Sequence, residues 1–288
     1  MVHAFISLRT LISRFRVTVG FTLALVLVEA FVELLFPLFI GLAINGLLED
    51  SYTGVAWLGG LGVAALTVGS ARRFFDTRAY ARIYTTIATE MVEREQERDA
   101  PVSTVSARAA LITEFVEFLE NSMPLVVSGT IGIVGILIIV ATLNLSVFFA
   151  CLGLLVIIAI TFWASSGKNY SLNAGYNDQL EVQVDVLATR DVRAIGVHFS
   201  QLMSWNRKLS DLETLNYIVV WLGVVALLVY APIATIDANQ TEYGFAFAVI
   251  TYVFQYIEGL VTFPIHIQQA IRLQEIGQRL NAPSSGDE

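Results

Sequence analysis

Six apolar runs of membrane-crossing length, 17–42, 55–71, 125–143, 146–164, 218–236 and 245–267, limit what this chain can become. A helix rises 1.5 Å per residue, so about 20 apolar residues cross a hydrocarbon core of ~30 Å. The pattern predicts an all-α membrane protein with six transmembrane helices. Only 15% of the residues are charged, against roughly 25% in soluble domains, and mean hydropathy is +0.67; an ordinary cytosolic enzyme is excluded. The first run is too long for a signal-peptide core, with no small-residue cleavage site before Glu49, so it is read as the first span.

Seventeen Lys and Arg against twenty-five Asp and Glu give a net charge of −8. Orientation depends on where the Lys and Arg lie rather than on that sum. Arg9, Arg14 and Arg16 precede span 1. Seven arginines, from Arg72 to Arg108, lie between spans 2 and 3, and Lys168, Arg190, Arg193, Arg207 and Lys208 between spans 4 and 5. Arg272 and Arg279 follow span 6. The opposite connections hold Glu49, Asp50, Asp237 and Glu242 and no basic residue. A bacterial-type inner membrane protein, multi-pass and with both termini cytoplasmic, is expected.

Connections on the acidic side are short, down to the single polar Asn144 between spans 3 and 4. The two basic connections, 72–121 and 165–215, are long and contain no Pro/Gly-rich linker, which predicts helical hairpins reaching ~30 Å beyond the membrane. Ahead of span 1, Phe5, Leu8, Ile12 and Phe15 recur at helical spacing among arginines, the pattern of an interfacial amphipathic helix over 1–16. The expected layout is that helix, a six-helix region over 17–281 and a polar tail over 282–288. Trp57, Trp163, Tyr230 and Tyr243 lie near span ends, where aromatic side chains anchor at the membrane interface.

Several local stretches add to this arrangement. Glu33-Leu34-Leu35-Phe36-Pro37 leads to Gly41 and Asn45; Val192-Arg193-Ala194-Ile195-Gly196 lies in the second hairpin; and Gly244-Phe245-Ala246-Phe247 is followed by Tyr252, Pro264, Gln269, Arg272, Glu275 and Ile276. Jointly with the six spans and paired hairpins, they resemble the transmembrane domain of ABC exporters over nearly the whole chain. The resemblance implies the ABC exporter-like transmembrane fold, a homodimer in which spans 4 and 5 cross to the partner's half, and transport by alternating access. Glu33 matches a position often acidic in that family. Ser103 stands where glycine is usual, and His198 where glutamate is usual.

No G-x-x-x-x-G-K-[ST] motif occurs, since the Gly167-Lys168 pair is followed by Asn169. A phosphate cradle is therefore not expected, nor any cofactor, and the motor is expected to be a separate ATPase subunit or none. The single cysteine, Cys151, gives no disulfide or ligand cluster, and His3, His198 and His266 share no metal-ligand spacing, so no metal site is expected. No activated serine is marked, and residues 72–121 carry seven Arg against nine Asp and Glu. An enzyme and a nucleic-acid partner are thus not expected.

Within the spans, Glu29 and Glu33 share one face of span 1, and Thr251, Gln255, Glu258, Thr262, His266 and Gln269 form a polar stripe on span 6. An ionised side chain at mid-bilayer costs at least roughly 2.5 to 3.5 kcal/mol on insertion scales, so each carboxylate needs a cavity, a partner or a proton. One reading has Glu29, Glu33, Thr251, Gln255, Glu258, Thr262 and His266 lining a translocation cavity or coupling to protons. The other has them zip a helix interface by hydrogen bonds. The expected function is movement of a small or amphiphilic solute across the inner membrane by a homodimer without its own ATPase. A subunit of a split ABC transporter, or a non-transporting scaffold or sensor of the same fold, is the alternative.

Overall fold

The apolar runs fold as helices that extend well beyond the runs themselves. A computed structural model describes residues 13–97, 99, 101–238 and 242–281, with side chains except at 237, 238, 264–267 and 269–281. The expected amphipathic helix falls mainly, and the polar tail wholly, outside the described residues. Eight α-helices follow in order among the described residues: α1 (Arg16–Leu48), α2 (Thr53–Glu97), α3 (Val102–Glu117), α4 (Met123–Leu143), α5 (Leu145–Glu181), α6 (Gln183–Ala188), α7 (Val192–Ala238) and α8 (Tyr243–Asn281). They provide six segments long and apolar enough to cross a membrane. The protein is multi-pass.

Local chemistry sets the reversals. At the end of α1, Asp50 adopts φ 57° while the Ser51 N–H donates to the Gly46 carbonyl over 2.7 Å, closing the last turn in a left-handed cap. Asp99 (φ 53°) and Arg190 (φ 55°) turn the chain before α3 and α7. Asn144 alone separates α4 from α5; its Oδ1 accepts the Val147 N–H over 3.1 Å and caps α5. A π-helical turn, Phe118–Ser122, joins α3 to α4. Pro124 has no N–H, and its ring opposes the carbonyl four residues back; widening the turn relieves that clash.

The chain divides into two compact units. The first comprises the chain up to Leu143 and the segment after Ala238. Beyond the apolar run of α2, Tyr80, Ile83, Ile87 and Met91 form a helical stripe that packs with Ile112, Phe115, Val116, Phe118 and Leu119 and with Val19 of α1. Arg108 of α3 pairs with the buried Glu95 of α2, and Arg14 reaches Glu90 at 2.6 Å. At the opposite, acidic end, α8 packs on α1 where Gly41 meets Gly244, and Asn45 Oδ1 accepts the Gly244 N–H over 2.7 Å. That side chain satisfies an otherwise orphaned donor in the first turn of α8. Deeper, the Tyr252 hydroxyl donates to the Leu34 carbonyl over 2.6 Å.

The second unit, Asn144–Ala238, pairs α5 with α7. Asn144 Nδ2 donates to the Ala234 carbonyl over 3.2 Å, Ser146 hydrogen-bonds Tyr230, and Asn216 donates to the Ser165 hydroxyl over 3.0 Å. Near the basic end, the Trp205 ring lies so close to Gly175 that a Cβ there would meet it at 2.8 Å.

Candidate functional site

Polar side chains of the first unit gather where α1 and α2 leave the apolar zone at their basic ends. Glu29 is half-buried on α1. Gly69 of α2 makes room for its carboxylate, since a Cβ there would lie 3.0 Å from Glu29 Oε1. One turn further along α2, Arg72 Nε donates to Glu29 Oε2, and Arg72 Nη1 donates to Asp76 Oδ2 over 3.2 Å. The guanidinium thus bridges two carboxylates from two helices, with side chains of Arg72 and Glu29 each 19% exposed. Charge-assisted bonds of this kind offset the cost of placing ions beside hydrocarbon.

The cluster continues inward. Asp76 and Tyr80 follow Arg72 at helical spacing, and Thr22 of α1 faces both. All three are buried.

Glu33, the next turn of α1, is exposed; its electrostatic neighbours are Glu29 and Arg72. On α8, Glu258 is exposed and Gln255 half-buried. The hydroxyls of Thr251 and Thr262 donate to the Phe247 and Glu258 carbonyls of their own helix, over 2.8 and 2.9 Å. Those two threonines thus satisfy themselves. The side chains of His266 and Gln269 lie outside the described residues. Measured along each helix from the Asn45–Gly244 bond, Glu33 lies about 18 Å and Glu258 about 21 Å deep at 1.5 Å per residue. The two exposed carboxylates therefore share a level, whereas Glu29 belongs to the Arg72 bridge.

Sequence reasoning selected Glu29, Glu33 and Glu258 but missed Arg72, Asp76, Tyr80 and Thr22. A signal was present: Arg72, Asp76 and Tyr80 recur at i, i+4 and i+8 just past span 2, one helical face carrying a base, an acid and a phenol. Chemically, the bridge holds one carboxylate fixed, while Glu33 and Glu258 remain exposed carboxyls.

Comparison with known proteins supplies the family context. The family described as ABC transporter transmembrane region matches residues 8–242. No curated protein matches the chain.

Proposed function

The chain belongs to the ABC transporter transmembrane family, and we propose that it works as a homodimer moving a small or amphiphilic solute with a cationic group across the inner membrane by alternating access. Family membership supports a role in membrane transport. The observation that carries the finer reading is the pair of exposed carboxylates, Glu33 and Glu258, at one depth within apolar helices. An unpaired carboxylate facing lipid is too costly to be retained, so this face must border water or a second copy of the chain. Two copies would bring four such carboxylates to a shared cavity.

A separately encoded ATPase as the motor is favoured by the hairpin tips. Val102 is 84% exposed, Val184 74% and Val192 82%, apolar side chains at the hairpin tips that a docked motor subunit would cover. The test is flux from proteoliposomes containing the purified protein, with and without a pH gradient and with and without the cognate ATPase. Glu33→Gln and Glu258→Gln are expected to lower flux at unchanged assembly. Wild-type flux in both variants would overturn the cavity reading.

A further inference from the structure

Arg78 and Arg82 of α2 carry charge that the Arg72 bridge does not use. Asp76, Tyr80 and Ile83 form the buried face of this stretch. Both arginines are exposed on the other side, in line with the exposed Phe74 at i, i+4 and i+8. Neither forms an ion pair among the described residues. No acid stands three or four residues from either one, so two like charges repel one turn apart unless an anion lies between them.

The depth of the pair identifies that anion. The guanidinium carbon of Arg78 lies 3.2 Å over the Phe74 ring centroid, and its Nη1 donates to the Phe74 carbonyl over 2.9 Å; further N–H groups remain for a ligand. Because α2 runs from the acidic end to the basic end and helical side chains lean toward the N-terminus, both arginines lean back toward the membrane. At 1.5 Å per residue the Phe74 carbonyl is about 4.5 Å past Ala71, where the apolar run ends. The headgroup layer on one side of a bilayer is roughly 5–8 Å thick, so this guanidinium lies at the level of lipid phosphates. On the membrane side Val63, Leu66 and Phe74 are exposed, an apolar track that leads to the basic pair.

We propose that Arg78 and Arg82 bind the phosphate of an anionic phospholipid in the leaflet at the basic end, with Phe74 as the platform under one guanidinium and acyl chains along Val63 and Leu66. Guanidinium groups donate bidentately to phosphate oxygens and stack on aromatic rings, and this pair is placed to do both. A zwitterionic lipid offers the same phosphate but brings a cation back against the arginines, so the anionic headgroup is preferred. The site uses neither solute nor motor and is measured without flux.

The experiment is native mass spectrometry of the purified full chain released from micelles doped with phosphatidylglycerol or with phosphatidylcholine of the same acyl chains, paired with thermal unfolding in the same mixtures. The wild type is expected to retain phosphatidylglycerol at least about threefold over phosphatidylcholine. Its Tm should rise saturably by about 3 °C or more with the anionic lipid, by mass action on the folded state. Inorganic phosphate at equal concentration should give no such shift, since it lacks the acyl chains. Arg78→Gln with Arg82→Gln, both at exposed positions, is expected to bring retention down to the phosphatidylcholine level. Phe74→Leu, which removes the platform and keeps an apolar side chain, should weaken retention by a smaller factor. Arg73→Gln removes the same charge from another face of α2 and is expected to leave retention unchanged. Equal retention of the two lipids by the wild type would overturn the proposal, as would wild-type retention in the double arginine variant. An equal loss in Arg73→Gln would also overturn it, by assigning the effect to general surface charge. A Tm rise with inorganic phosphate as large as that with the lipid would assign the pair to a free anion and overturn it too.

Discussion

Replacing Gly244 by alanine would bring a methyl carbon to 1.9 Å from the Gly41 carbonyl oxygen and 2.7 Å from Asn45 Oδ1. Ordinary carbon–oxygen contact is roughly 3.2 Å or more, so α8 must shift by more than about 1 Å at its first turn, against backbone that cannot rotate away. Overpacking of this kind costs about 1–3 kcal/mol. The 2.7 Å bond from the Gly244 N–H to Asn45 is lost or stretched as the helices part, a further ~0.6 kcal/mol by the average for hydrogen bonds between membrane helices. Alanine's better helix propensity returns up to ~1 kcal/mol. The net expectation is destabilisation by about 1–3 kcal/mol. Gly62→Ala is the control, because a Cβ there meets nothing within 4 Å, and it should be neutral or slightly stabilising. Gly41→Ala should repeat the defect, its Cβ lying 2.4 Å from the Gly244 carbonyl oxygen. Since both variants relieve themselves by the same helix separation, the double variant should cost less than the sum. Reversible unfolding in mixed micelles measures all four. Equal stability of Gly244→Ala and Gly62→Ala, or strict additivity of the two damaging changes, would refute the close-packing argument.

Arg72→Met leaves Glu29 and the buried Asp76 without their cation, and removing one partner of a buried ion pair typically costs about 3–5 kcal/mol; adding Glu29→Gln should recover part of that in the same unfolding assay. Gly175→Ala drives a Cβ to 2.8 Å from the Trp205 ring, and about 1–3 kcal/mol of overpacking should appear as altered tryptophan emission and lower stability. Asp50→Gly removes the side-chain penalty of φ 57° and should stabilise the α1 cap by up to ~1 kcal/mol, read as a raised Tm. Glu90 lies on α2 about 28 Å beyond the apolar run, and the hydrogen bond from Arg14, with its positive charge, holds the carboxyl below its ordinary value of 4.5. A depressed pKa contributes stability above the unfolded-state value and loses it as pH falls through the folded-state value. Glu90→Gln should therefore cost a few tenths of a kcal/mol at pH 7, both partners being well exposed, and nothing once pH has fallen below the folded-state value and the wild-type carboxyl is protonated; a cost that persists there would contradict the pairing.

Features confined to one stretch of chain were legible in advance. Each span is a sum of transfer energies over consecutive residues. Asn144 stands out as the single polar residue between two spans, and Glu29 and Glu33 share a face by helical repeat alone. The role of Glu29 was not legible. Its partner Arg72 read as one more basic residue following a span, and only the pairing of α1 with α2 brings that guanidinium to the carboxylate. Similarly, Asn45 and Gly244 stood out as local motif residues, but nothing near either one says that the first accepts a hydrogen bond from the second across 199 positions.

The sequence by itself determined that six apolar segments cross a membrane and which side carries the basic residues, because hydropathy and charge position are properties of the chain read in order. Tertiary structure alone decided which carboxylates are neutralised and which remain exposed. It also decided where three buried oxygens converge and where two glycines let helices touch. Neutralisation, burial and close approach are distances between elements, and packing sets those distances.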